Sequence, residues 1–197
     1  MFVQVIQGKV KDADLLTRQM DRWVAEIKPG VKGYLGSTTG ITPDGRAITI
    51  ARFESAKAAA TNSDNALQTA WWNETSKAYD GEPTFHDCST VDTFFGGGSD
   101  KAGFVQVIQG RAKDQAAVRS QFSSLEGEVR KERPDILGMA VAFHDDGSGF
   151  TQAVYFGSEA DTRKAEKATE NSEVRAGYME MFEGPPTFFD LKSPRLD

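Results

Sequence analysis

Phe2-Val3-Gln4-Val5-Ile6-Gln7-Gly8 returns residue for residue as Phe104-Val105-Gln106-Val107-Ile108-Gln109-Gly110. Seven identities in a row make the chain an internal duplication. Their β-branched residues and partial alternation read as a strand opening each half. Working outward, Asp12 has the chemistry of an N-cap for a helix over residues 12–28. Leu16, Met20, Trp23 and Ile27 lie on one face of that helix, and Val118, Phe122, Leu125 and Val129 repeat the face 102 positions later. Pro29-Gly30 and Arg133-Pro134-Asp135 end these helices.

Strands are expected at 34–41 and 136–143, then turns at Thr42-Pro43-Asp44-Gly45 and Asp145-Asp146-Gly147, and returning strands at 47–53 and 150–156. Ser55 and Ser158 cap a second helical region, now offset by 103, which is interrupted around Asn62-Ser63-Asp64-Asn65 and resumes through Tyr79. A last strand follows Gly81-Glu82-Pro83 in one half and Gly184-Pro185-Pro186 in the other. Each half therefore reads β-α-β-β-α-β, the ferredoxin-like unit, with a four-stranded antiparallel sheet and both helices on one face. The other face needs a cover, so an α+β intramolecular dimeric α/β-barrel is expected, with residues 1–95 and 104–197 as repeats and 96–103 as a glycine-rich linker. The tail Pro194-Arg195-Leu196-Asp197 is expected to fray.

Charge excludes several classes of partner. Residues 1–98 carry 10 Lys/Arg against 12 Asp/Glu and residues 99–197 carry 13 against 17, so neither half has a basic stripe for nucleic acid or an anionic membrane surface. No apolar run is long enough for a membrane span, no signal-peptide pattern opens the chain, and the single Cys88 fits a reducing, cytoplasmic setting.

The segment Arg52-Phe53-Glu54-Ser55, then Asn62-Ser63 and Trp71-Trp72, resembles the third-strand-to-second-helix region of the antibiotic-biosynthesis-monooxygenase-like group of dimeric α/β-barrels, including its tandem actinobacterial members. The resemblance covers both halves. It implies either small-molecule binding or cofactor-independent oxygenation of a flat phenolic or quinol substrate, with a structural or assembly role as the third option. Haem-degrading relatives use an Asn on the first strand and a Trp and a His in the second helical region. Here the first strand carries Gln4 and Gln7 and neither second helix has a His, so haem degradation is not expected.

Comparison of the halves selects candidate site residues. His86, Trp72 and Tyr79 are replaced by Phe189, Arg175 and Phe182, which puts the expected site mainly in the first half. His86 is the candidate catalytic base, or else a core histidine bonded to backbone. Trp72, adjacent to the core position Trp71, either walls a pocket for a small aromatic ligand or is a half-buried surface residue. Tyr79, Gln4 and Gln7 are candidate substrate-binding groups; alternation puts Gln4 with Phe2 and Ile6, and Gln7 with Val3 and Val5. Asp87 points away from His86, and its repetition as Asp190 favours a structural role. His86 and Cys88 are two ligand types without a third, so no metal is expected; nor is any cofactor, since no dinucleotide or phosphate loop is present. A homodimer through outer surfaces stays open.

Overall fold

The computed structural model describes all 197 residues. Its first half contains β1 (Phe2–Lys9), α1 (Ala13–Arg22), β2 (Tyr34–Ile41), β3 (Arg46–Phe53), α2 (Ala56–Ser63), α3 (Ala66–Thr75), β4 (Thr84–Cys88) and β5 (Thr90–Phe94). The second contains β6 (Phe104–Gly110), α4 (Gln115–Glu132), β7 (Ile136–Phe143), β8 (Phe150–Phe156), α5 (Glu159–Ala168), α6 (Glu173–Glu180), β9 (Thr187–Leu191) and β10 (Arg195–Leu196). The fold class is α+β, built from two ferredoxin-like βαββαβ repeats.

Local chemistry sets the helix starts. Asp12 accepts from the Leu15 amide at 2.8 Å, and Asp114 caps α4 through the amides of Ala116 and Ala117. Ser55 and Ser158 cap α2 and α5, and Asn65 and Ser172 restart α3 and α6 after the interruption. The helix expected over 12–28 is less regular than its counterpart: α1 passes into a π turn at Trp23–Ile27 and a 3-10 turn at Lys28–Gly30. Pro29 has no N–H to continue the ladder, whereas α4 runs unbroken for 18 residues before Pro134.

Each sheet has five strands rather than the expected four, all antiparallel, in the orders β10-β2-β3-β1-β4 and β5-β7-β8-β6-β9. The fifth strand of each comes from a segment beyond the repeat itself. β5 pairs with β7 (Thr93 opposite Ala140), and β10 pairs with β2 (Arg195 opposite Thr39). The compact units are therefore residues 1–89 with 195–197, and residues 90–194; the boundary lies before β5, not at the glycine run. The tail is not frayed. Ser37 and Asp197 exchange backbone hydrogen bonds of 2.8 and 3.1 Å, and Arg195 pairs with Asp21 of α1 at 2.5 Å. The linker glycines form a tight turn in which Phe95, Gly96 and Gly97 all have positive φ, and the Gly97 amide donates to the Phe94 carbonyl at 2.9 Å.

The register assigns the faces of the first sheet. Gln4, Ala51, Ser37 and Asp87 share the face under the helices, as do Ile6, Thr49, Thr39 and Phe85. Val3, Val5, Ile48, Ile50 and Cys88 share the other face and are all buried. In the first unit Leu16, Ala47, Ala78 and Tyr79 form one core cluster, and Phe2, Phe53 and Ala59 another. The second unit has one larger cluster, centred on Phe104, Ile108, Phe122, Phe156 and Phe182. No helix is long and apolar enough to cross a membrane.

Candidate ligand pockets

Each unit has a pocket between its helices and its sheet, and the two differ in chemistry. In the first unit α3 presents two consecutive indoles, about 100° apart around the helix axis. Trp71 is buried against α1 and donates from Nε1 to the Gln19 carbonyl at 2.7 Å. Trp72 is half-buried and packs its ring edge-on to Phe85, with centroids 5.1 Å apart. Trp23, on the π turn, donates to Gln68 Oε1 at 2.8 Å and meets Tyr34 at 5.0 Å and Trp71 at 6.4 Å. These rings form a continuous aromatic wall over a floor of Gln4, Ile6, Thr49 and Ala51, around a cavity of about 70 Å³.

Two polar groups lining this cavity, Tyr34 Oη and Asn62 Oδ1, are buried and make no hydrogen bond. Burial pushes the Tyr34 hydroxyl up to about 12; the Ser37 side chain, close to the phenol but outside hydrogen-bond geometry, pulls it down, Asp197 raises it, and Arg52 and Arg195 lower it. Tyr79 is also pushed up to about 12 by burial, and its ring packs so closely on Gly8 that a Cβ there would lie 2.8 Å from it. Phe182 packs on Gly110 in the same way, so much of Tyr79's role is packing.

In the second unit the cavity is about 140 Å³, bordered by Phe122, Leu125 and Val129 of α4, Met139 and Val154 of the sheet, and Val174 and Tyr178 of α6. Its polar floor is internally satisfied. The Tyr178 hydroxyl donates to Gln152 Oε1 at 2.9 Å, and Gln152 Nε2 donates to Met139 Sδ at 2.8 Å. Gln106 Nε2 donates to Asp190 at 3.2 Å, and Arg163 also binds that carboxylate. Burial raises the Tyr178 hydroxyl strongly, with Arg175 opposing.

The sequence-selected residues divide between the two faces of the first sheet. Gln4, Trp72 and Tyr79 meet at the pocket. Gln4 also donates to Asp87 at 2.9 Å, the counterpart of the Gln106–Asp190 bond and the structural role expected of that aspartate. His86 lies opposite Val5 on the other face, and Gln7 opposite Ile48 on that same face, so the sheet stands between His86 and Trp72. Gln109 bonds Thr151 at 2.9 Å, whereas Gln7, facing Ile48 at the equivalent position, leaves its Oε1 unpaired. Tyr34, Asn62, Trp23 and Asp197 were not among the selected residues. The half-to-half comparison that singled out His86 carries a signal for two of them, since Trp23 and Tyr34 correspond in sequence to Leu125 and Ile136. The second cavity gave no signal because its lining is what a core helix and sheet would carry anyway.

A tandem of ferredoxin-like repeats, each with a pocket under its helices, is the class of protein that the fold defines. No protein-family model and no curated protein matches the chain. Among solved structures, a candidate monooxygenase from Fusobacterium nucleatum superposes with a TM-score of 0.74 at 8% identity, over 100% of this chain and 93% of that one. A candidate monooxygenase from Lactobacillus acidophilus gives 0.69 at 13% identity, over 100% and 98%. An anthrone oxidase-like protein gives 0.66 at 8%, over 100% and 92%. At such identities the likeness is one of fold.

Proposed function

We propose that this is a small-molecule-binding protein of the antibiotic-biosynthesis-monooxygenase-like group, and that the first-unit pocket takes a flat aromatic molecule with a hydrogen-bonding substituent. The observation that carries this reading is that all three tryptophans of the chain line one pocket, which also holds two buried polar groups without partners. A buried unpaired donor or acceptor costs about 1–3 kcal/mol. A ligand that bonds Tyr34 and Asn62 offsets that cost, and the indoles supply the ring contacts. For a ring to fit a cavity of about 70 Å³, Trp72, half-buried at the edge, would have to swing aside. Gln4 and Tyr79 complete the floor and wall.

Because every tryptophan lies at this pocket, indole emission reports on it alone. Titration with 2-naphthol is expected to quench that emission, and naphthalene to do so more weakly. Tyr34→Phe is expected to weaken 2-naphthol about tenfold, the loss of one hydrogen bond at about 1.4 kcal/mol, while leaving naphthalene unchanged and stability the same or higher. No quenching by either compound would defeat the reading. His86→Ala is expected to leave both titrations unaltered, since His86 lies on the other sheet face.

Cofactor-independent oxygenation of the bound ring is the second reading, supported by the whole-chain fold shared with the anthrone oxidase-like protein. Oxygen uptake with a panel of anthrones and hydroquinones tests it directly. A positive result unchanged in Trp72→Ala would move the chemistry away from this pocket.

A further inference from the structure

We infer that the second unit holds a separate site for a neutral, apolar molecule of about single-ring size. Size comes first. The cavity of about 140 Å³ is close to the roughly 150 Å³ of an apolar void that stays dry and binds benzene. The cavity is partly open at its rim rather than sealed, which gives a ligand a way in from solvent.

The buried part of the lining then favours an apolar ligand. Buried side-chain polar atoms that make no hydrogen bond, those of Gln7, Gln19, Tyr34, Arg52 and Asn62, lie in the first unit. Around the second cavity Gln106, Gln152 and Tyr178 are hydrogen-bonded within the protein and ask nothing of a ligand. Among the charged side chains that border it, Arg133 is paired with Asp135, Glu166 with Arg163, and Glu126 with Arg130. That leaves Glu132 and Arg175, one of each sign, and hence no preference for an ion of either charge.

The duplication supplies a comparison within the same chain. Where the first unit has Trp23, Tyr34, Ser37, Asn62 and Trp71, the second has Leu125, Ile136, Met139, Ala165 and Val174. Every one of these exchanges makes the position smaller, less polar or both, except Ser37 to Met139, which trades a hydroxyl for a thioether. The first pocket is thereby small and polar-rimmed, and the second roomier and oily. The two sites are read as serving two ligand classes.

The methionines test this in the full chain. Met139, Met179 and Met181 border the second cavity, and Met20 borders the first pocket. With methyl-labelled methionine, benzene is expected to shift the Met139, Met179 and Met181 resonances while Met20 and indole emission stay unchanged. Near-saturating benzene is expected to raise the Tm by about 3 °C. Val174→Trp, which imports the first-unit residue into the cavity, is expected to abolish the methyl shifts while leaving the Met20 resonance and its response to 2-naphthol intact. Leu125→Phe is the alternative filling variant should that one fail to fold. The inference is overturned if benzene moves none of the three methyls, moves Met20 instead, or still binds after the cavity is filled in a folded variant. Because the 2-naphthol titration reads only the first pocket, its failure would leave this result standing, and the converse holds too.

Discussion

Trp71→Ala is expected to cost about 3–5 kcal/mol of folding stability, the range for truncating a buried large aromatic side chain. The indole is 5% exposed, so nearly all of its surface returns to water or to a void. Its loss also removes the hydrogen bond from Nε1 to the Gln19 carbonyl, 2.7 Å long, that links α3 to α1, and leaves that carbonyl only the Trp23 amide. Trp23 and Trp72 each lose a ring neighbour, at 6.4 and 5.9 Å. Urea unfolding is the measurement, and the midpoint should fall with little change in slope. Trp72→Ala is the informative contrast. That ring is half-buried and packs edge-on to Phe85, so it should cost clearly less stability while removing more of the 2-naphthol response. A Trp71→Ala loss of under 1 kcal/mol would mean that the α1–α3 interface is not what holds this wall.

Gly138→Ala is expected to destabilise by about 3 kcal/mol or more, at or beyond the upper end of ordinary overpacking. A Cβ at Gly138 would run into the Gly97 carbonyl, which belongs to the backbone of the tight turn after β5 and has no flexible end to yield. Gly36, at the equivalent bulge of the first unit, has φ +123° and would place its Cβ 2.6 Å from the Asp197 carbonyl. Both glycines thus make room for the segment that brings the fifth strand to each sheet. The control is Gly127→Ala, in the middle of α4 with open space around the added methyl, where the helix should gain about 1 kcal/mol. Thermal or urea unfolding of the pair should move in opposite directions. Equal, small effects would show that the turn at 94–98 gives way readily.

The sequence by itself determined what depends on near neighbours along the chain. The repeated heptapeptide established the duplication, because a strand's alternation and its exact copy are both visible in one dimension. Asp12, Ser55 and Ser158 marked helix starts because a capping oxygen reaches an amide only three residues ahead. The opposite orientations of His86 and Asp87 followed from the two-residue period of a strand, and so did the separation of Gln4 from Gln7. Only the tertiary structure decided the rest. β5 and β10, with five and two residues, carry too little pattern to announce themselves, and their pairing joins Thr93 to Ala140 and Arg195 to Thr39 across long stretches of chain. The first pocket likewise brings Trp23, Tyr34, Asn62 and Trp72 together from four elements and connections, and the missing hydrogen bonds of Tyr34 and Asn62 are defined by what surrounds them in space. A cavity is a property of packing, the volume left when side chains from separate segments meet, and no local run of residues encodes that volume.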